Sequence, residues 1–488
     1  MDDIIISEIA EPIGEGNKKK EELLIDKIME KTTFSKHRIY IMICMIFMFL
    51  TNGMEMCLFN LIIMPFKNYF YLKEGFLLEF TTSLLFLGVA FGSGAASYIS
   101  KIFGRIPTIK ILIIILSIFH LLMGLFLYLP VFIICRFAIG FCLGNIIPIL
   151  INIYGEYLPD KYRGVLLMLA WSFFGFGMVI LNIHALIIMP ELEKEKIQKL
   201  LLIILSLPRL SIISCLIFLN ESPWNLFLSL NEENIEKAYV ILKGINSDEL
   251  NEEEEEKILE ELKISRENNS ENVTSRYFFK KMFSPYYKKT TILIILIFFL
   301  IAYNSYGVFT ISSLTLDILN NKEKQKNNQN LDENENISNR NIIINQIMLS
   351  IAEVISDFIG GIIGEWKKLG RKGAIILFGL LSVIFIIASP FKKLLYEILI
   401  PIGSACTSIY TNLAMDYAVE FYPTKIRDKS TSLLFMVYRI SCFLSQFLSI
   451  GVFNFTYFFP YIIDAIFCIL LSVFTFLLPY EVAGKSLD

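Results

Sequence analysis

The sequence predicts an all-α membrane protein whose twelve transmembrane helices form two pseudo-symmetric halves of six. Three observations predict it. Of 488 residues, 55% are hydrophobic and only 19% charged, with a mean hydropathy of +0.59, a balance that a water-soluble domain cannot bury. Twelve apolar runs reach the roughly 20 residues that a helix needs to cross a hydrocarbon core. A set of short motifs in the first part of the chain recurs in the second at a nearly constant offset.

The runs fall near 39–64, 76–99, 108–129, 131–155, 164–188, 198–219, 290–317, 343–365, 373–390, 396–420, 430–453 and 457–479. They are too long for barrel strands and lack strand alternation, so helices are the only spanning structure left. Residues 1–38 have no early apolar core; no cleavable signal peptide is expected, and the first span serves as the targeting signal. Lys36, Arg38, Arg105, Lys110, Arg163, Lys288, Arg371, Lys372 and Arg427 flank one side of the spans, and that side reads as the cytoplasm, with both termini on it. The membrane is the plasma membrane or that of an organelle.

The expected order is a cytoplasmic segment 1–38, a first half 39–222, a cytoplasmic linker 223–289, a second half 290–480 and a cytoplasmic tail 481–488. The linker carries the acidic run 252–256 and amphipathic stretches at 233–242 and 258–264 that suit short helices. The Asn/Lys/Glu-rich tract 319–341 reads as a flexible extracytoplasmic loop, and Asn336 in Asn-Ile-Ser is a glycan acceptor if it faces a secretory lumen.

Composition also excludes. The 44 basic and 47 acidic residues leave a net charge of −3, so nothing points to nucleic acid. The eight cysteines, at 44, 57, 135, 142, 215, 406, 442 and 468, all lie in apolar stretches without CxxC spacing and read as packing thiols. The three histidines show neither HExxH nor HxE spacing, so no metal site or cofactor is expected, and His120 reads as a packing residue of span three. Neither an ATP-binding GxxxxGK[ST] run nor a nucleophile with a base partner occurs, which argues against an enzyme.

The repeat carries the architecture. Glu156-Tyr-Leu-Pro159 with Arg163 returns as Glu420-Phe-Tyr-Pro423 with Arg427, offset by 264 residues, and Gly104-Arg105 returns as Gly370-Arg371, offset by 266. Glu221-Ser222-Pro223 has a looser counterpart in Pro479-Tyr480-Glu481, its glutamates 260 apart. Each marker stands where a span leaves the membrane on the cytoplasmic side. There Glu156 and Glu420 can pair with an arginine, the proline stops the helix, and the glycine joins two helices tightly. Such a network would tie the cytoplasmic helix ends together and open with them, unless these residues only anchor the spans by their charge.

On these motifs, with Arg136, Gly140 and Gly144 in span four and Gly484-Lys485 in the tail, the chain from about residue 40 resembles the sugar and organic-ion branch of the major facilitator superfamily. Asn52-Gly53-Met54-Glu55-Met56 is similar to the first-span motif of synaptic vesicle protein-related organic-ion transporters. The resemblance implies the major facilitator fold, with spans 1, 4, 7 and 10 lining a central cavity beside 2, 5, 8 and 11. Sugar-porter hallmarks are missing: no Gln-Leu pair in span five, no Gln-Gln pair in span seven, no Pro-Trp in span ten. Hexose transport is disfavoured. Lys101 and Lys367 stand where the family has an acidic residue before the Gly-Arg turns, and Asn52 stands where an Asp is common.

A charge at mid-bilayer costs at least about 2.5 kcal/mol, so ionisable residues within spans are the default functional candidates. They are Glu55 (solute or proton binding, or a structural pair with an arginine), Arg136, Arg439 (a planar guanidinium for an anionic group) and Glu353 (proton coupling). Asn52, Asn304, Tyr306 and Trp171 would add hydrogen bonds and an aromatic wall. Asp357, one turn from Glu353, joins the cytoplasmic gate group of Gly104, Arg105, Glu156, Arg163, Glu221, Gly370, Arg371, Glu420 and Arg427. Arg209 and Asp464 read as structural, and Gly88, Gly92, Ala96 and Ser100 as a helix-packing stripe. The expected function is alternating-access transport of a small polar organic solute by a monomer in the lipid bilayer, with protons as a candidate coupling ion. A transporter-like receptor or scaffold and a sugar porter are the alternatives.

Overall fold

The computed structural model describes residues 36–70, 76–126, 128–157, 163–188, 275–326, 335–364, 369–422, 424–453, 455–479 and 481. All of its long elements are helices: α1 (Lys36–Tyr69), α2 (Phe76–Phe103), α3 (Arg105–Leu125), α4 (Leu129–Tyr157), α5 (Arg163–Ile188), the short α6 (Ser275–Met282), α7 (Lys288–Lys326), α8 (Glu335–Gly364), α9 (Gly370–Ala388), α10 (Lys393–Phe421), α11 (Thr424–Phe453) and α12 (Phe459–Phe476). Among the described residues ten are long and apolar enough to cross a membrane, and α1 contributes the shorter apolar stretch Met42–Leu58. The sixth expected span, 198–219, lies outside the described residues, as does most of the linker.

Outward apolar stripes recur at helical spacing, as in Ile111, Ile114, Ile118 and Leu121 of α3 and Leu377, Leu380, Ile384 and Ile387 of α9. Water would penalise such faces; a hydrocarbon solvent does not. Helices α1 to α5 pack mainly on one another, through α2 with α4, α3 with α4 and α1 with α5. Helices α7 to α12 pair in the corresponding way, α8 with α10, α9 with α10 and α7 with α11. Two long contacts join the sets: α2 along α11, and α5 along α8.

Local sequence explains the tightest joints. A Cβ at Gly88 or Gly92 would run into the α4 carbonyls of Phe137 and Phe141, and one at Gly140 or Gly144 into the α2 carbonyls of Leu85 and Val89. The small-residue stripe therefore lets two backbones touch. Gly104 and Gly370 hold φ at +86° and +66°, the left-handed region, where α2 meets α3 and where α9 begins.

The tract set aside as a loop at 319–341 is more helical than its composition suggested. Helix α7 runs on to Lys326 and α8 starts at Glu335, leaving 327–334 between them outside the described residues. Lys, Glu and Gln are good helix formers, and beyond the membrane their side chains are solvated. The α7 extension is also held from the side: Glu323 pairs with Lys393 at 3.0 Å, and Lys322 Nζ lies 4.0 Å from the centre of the Tyr457 ring.

Candidate functional site

Where the two helix sets face each other, a cavity opens with roughly 800 Å³ of empty space, open solvent at its mouth included. From α5 it takes Trp171, Phe174 and Met178, with Met56 from α1. Helix α8 adds Glu353 and Asp357, and α11 adds Tyr438 and Arg439. Helix α7 supplies Ser305, Tyr306 and Phe309. The polar floor belongs to α10: Ser404, Thr407, Ser408, Thr411 and Asn412 recur at three- and four-residue steps, which places them on one helical face.

The charged groups are held by neighbours rather than by each other. Arg439 Nη1 donates to the Tyr306 hydroxyl at 3.3 Å, and its guanidinium carbon lies 5.3 Å from the Tyr438 ring centre. Tyr306 in turn packs edge-on against Phe86 of α2, centroids 4.8 Å apart, so the second helix set touches the first at the cavity. Asn412 Nδ2 donates to Asp357 Oδ1 at 2.5 Å. Ser305 and Thr411 share a hydrogen bond of 3.1 Å between α7 and α10. Among the described residues the Glu353 carboxylate makes no hydrogen bond. One turn along α5 and α8 from the cavity residues Met178 and Glu353, Asn182 Nδ2 donates to Ser350 Oγ at 2.9 Å and to the Gln346 carbonyl at 3.4 Å.

Four of the eight residues proposed for solute or coupling line the cavity: Trp171, Tyr306, Glu353 and Arg439. The other four do not. Asn304 points from α7 toward α12, its amide donating to Cys468 Sγ at 3.2 Å. Asn52 is buried, and among the described residues its amide has no hydrogen-bond partner. Glu55 turns into the first helix set, where its Oε1 lies 2.6 Å from His120 Nε2 and its Oε2 3.8 Å from Arg136 Nη1, all three fully buried. Met56, the next residue, faces the cavity, so a rotation of one residue along α1 decides between the two surroundings. His120, read as plain packing, is the closest partner of Glu55.

Asp357, grouped by sequence with the cytoplasmic gate and on one face with Glu353, lines the same cavity as Glu353. Of the remaining gate residues, the side chains of Glu156, Arg163, Glu420 and Arg427 and the whole of Glu221 lie outside the described residues. At the second Gly-Arg turn a carboxylate meets the backbone of the turn. The Glu481 carboxylate accepts from the backbone N–H groups of Arg371 (3.1 Å) and Lys372 (2.9 Å), while Lys372 Nζ donates to the Leu478 carbonyl at 2.7 Å. An acid over the open N–H groups of a helix start is favourable on both hydrogen-bond and dipole grounds.

The sequence reading missed the α10 face and Tyr438. A stripe of hydroxyls and an amide at helical spacing inside an apolar span was the available signal. Nothing in the apolar surroundings of Tyr438 marked it.

The family model for "Sugar (and other) transporter" matches residues 41–488. The synaptic vesicle 2-related protein of Xenopus laevis is 25% identical over 233 residues, 47% of this chain and 40% of that one, so the match spans less than half of either. Two solved structures superpose over almost their whole length. The major facilitator superfamily proton:xylose symporter XylE bound to 6-bromo-6-deoxy-D-glucose has a TM-score of 0.68 at 17% identity, covering 92% of this chain and 98% of that one. The inward-open xylose transporter XylE from E. coli gives 0.67 at 17% identity, with 92% and 98% covered. At such identity the likeness is one of fold. With a family model running over nearly all of its spans, the chain belongs to the sugar (and other) transporter family of the major facilitator superfamily, a family of transporters and not of enzymes.

Proposed function

We propose that this chain carries a small polar organic solute across the membrane by alternating access between two six-helix halves, with the cavity as the solute site. The observation that carries the reading is the lining itself. Arg439, Glu353, Asp357, two tyrosines and a hydroxyl-bearing face of α10 converge on one hollow between the helix sets. Desolvated charges and convergent polar groups of this kind are costly unless a ligand uses them.

The matching pairs α2–α4 and α8–α10, α1–α5 and α7–α11, and α2–α11 and α5–α8 support a duplicated architecture, with 198–219 as the missing member of the first half. Arg439 suits an anionic or hydroxyl group of the solute, the aromatic rings its apolar face, and Glu353 a proton or a cationic group. The cavity lies between mid-helix and the ends that carry the Gly-Arg turns, while the Asn182–Ser350 contact joins α5 to α8 one turn beyond it, on the side away from those turns. This fits a state open toward the cytoplasm, with both termini there and the protein acting as a monomer.

A second reading, a sugar porter, is favoured by the α10 hydroxyl stripe, which matches the spacing of a polyol's hydroxyls better than a single ionic group. One experiment addresses both readings. Purified protein in proteoliposomes is assayed for uptake and counterflow across a panel of organic anions, organic cations, pentoses and hexoses. Saturable counterflow of one class, lost in Arg439→Ala, supports the proposal and names the class. Folded protein that shows no flux with any member defeats it, and binding without counterflow identifies a receptor instead.

A further inference from the structure

Outside the cavity, α7, α11 and α12 enclose a polar cluster that neither the fold nor the solute site uses. Asp464 of α12 is 1% exposed, and among the described residues neither carboxylate oxygen has a hydrogen-bond or ion-pair partner. Its electrostatic neighbours are the hydroxyls of Tyr303, Tyr410 and Tyr461 and the thiol of Cys468, none of them basic. A bare buried carboxylate is among the most expensive groups a protein can hold, so something must neutralise it.

The geometry around Gly307 says what kind of group fits. A side-chain carbon on Gly307 would lie 2.9 Å from Ser445 Oγ, 3.1 Å from Asp464 Oδ1 and 3.3 Å from Ser449 Oγ. Three oxygens from two helices thus surround one notch in a third helix, and the notch exists because residue 307 has no side chain. Ser445 donates its proton to the Tyr303 carbonyl at 2.6 Å, which leaves its lone pairs for the notch. Tyr303, one turn before Gly307, brings its hydroxyl to Ser449.

We propose that Asp464, Ser445 and Ser449 bind a small monovalent metal cation, sodium, in this notch, at a site separate from the solute cavity. A proton fits less well, because a protonated carboxyl needs an acceptor and, among the described residues, neither oxygen has a hydrogen-bond partner. A divalent ion would leave an uncompensated positive charge beside a single carboxylate. Hard oxygen donors select a hard cation, and a small one is reached when the serine and aspartate oxygens, now 2.9 to 3.3 Å from the notch centre, close on it. Helices α7 and α11 also carry Tyr306 and Arg439 into the cavity, so occupancy of the notch fixes the spacing of the helices that present the solute groups. That last consequence, and only that, rests on the transport reading.

The test needs no solute. The thermal midpoint of the purified full-length protein is followed at constant ionic strength as sodium replaces potassium or choline, and radioactive sodium binding is measured at equilibrium. Sodium is expected to raise the midpoint saturably and to bind at about one ion per chain, as linkage requires of a ligand of the folded state. Asp464→Asn removes the charge and Gly307→Ala fills the notch; each is expected to weaken sodium binding by roughly tenfold or more. If Asp464→Asn does not fold, Gly307→Ala and Ser449→Ala carry the test. Equal midpoints in sodium, potassium and choline overturn the proposal, as does a sodium shift that survives in every folded variant. A midpoint that responds to pH but not to sodium assigns a proton to Asp464 and overturns it too. Sodium binding without flux would remove the transport reading and leave this site standing.

Discussion

Two groups of buried charge in this molecule are built on opposite plans. In the first helix set Glu55, His120 and Arg136 meet one another across α1, α3 and α4 and leave nothing facing the cavity. In the second, Arg439, Glu353 and Asp357 face the hollow, steadied by Tyr306 and Asn412 but not neutralised by each other. A charge compensated inside a packed interior holds helices together; one left at the wall of a hollow is available to a solute. The difference is one of partners, since each group holds an arginine and a glutamate.

The largest effect should come from unpairing the packed cluster. Arg136→Ala removes the guanidinium beside Glu55 and is expected to cost roughly 3–5 kcal/mol, the range for breaking a buried ion pair. Thermal unfolding reads it; an unchanged midpoint with lost solute affinity would move Arg136 to the solute side of the comparison. Arg439→Ala should do the reverse, leaving the midpoint nearly intact and weakening solute binding by roughly 10- to 150-fold, as for loss of a charge-assisted hydrogen bond. Glu481→Ala strips two acceptors from the start of α9. It should lower stability by about 1–2 kcal/mol and raise labelling of a cysteine placed at the helix ends that carry the Gly-Arg turns. Arg427→Ala and Arg163→Ala raise the same labelling if those arginines belong to the gate.

The smaller effects sharpen the contrast within the cavity. Asn412→Ala removes the hydrogen bond to Asp357 and should raise the solute KM several-fold, about 1 kcal/mol, with little change in kcat. Glu353→Gln should abolish any pH dependence of flux while Glu55→Gln preserves it. The opposite result places the proton carrier in the packed cluster.

Much of the fold was legible because its causes are local. Hydropathy marks α2 to α5 and α7 to α12, and the motif offsets mark the turns at Gly104 and Gly370, since each depends on a few neighbouring residues. Of the site, the charges on α8 and α11 were legible as anomalies in apolar spans. Asp357 was grouped with the gate by its depth along span eight, and the face it shares with Glu353 puts it at the cavity wall as well. The α7 extension to Lys326 was missed because a polar composition reads as loop when its docking partners, Lys393 and Tyr457, are far away in sequence.

By itself the sequence determined the solvent and the helical architecture, because transfer of apolar side chains into lipid is additive along the chain and takes no account of what lies opposite. Tertiary structure alone decided the rotation of each helix about its axis. Spans that are apolar on all sides carry no phase, so packing had to choose whether Glu55 or Met56 would meet the cavity. The same choice brought Asp464, Ser445 and Ser449, from two helices, around the side chain that Gly307 lacks.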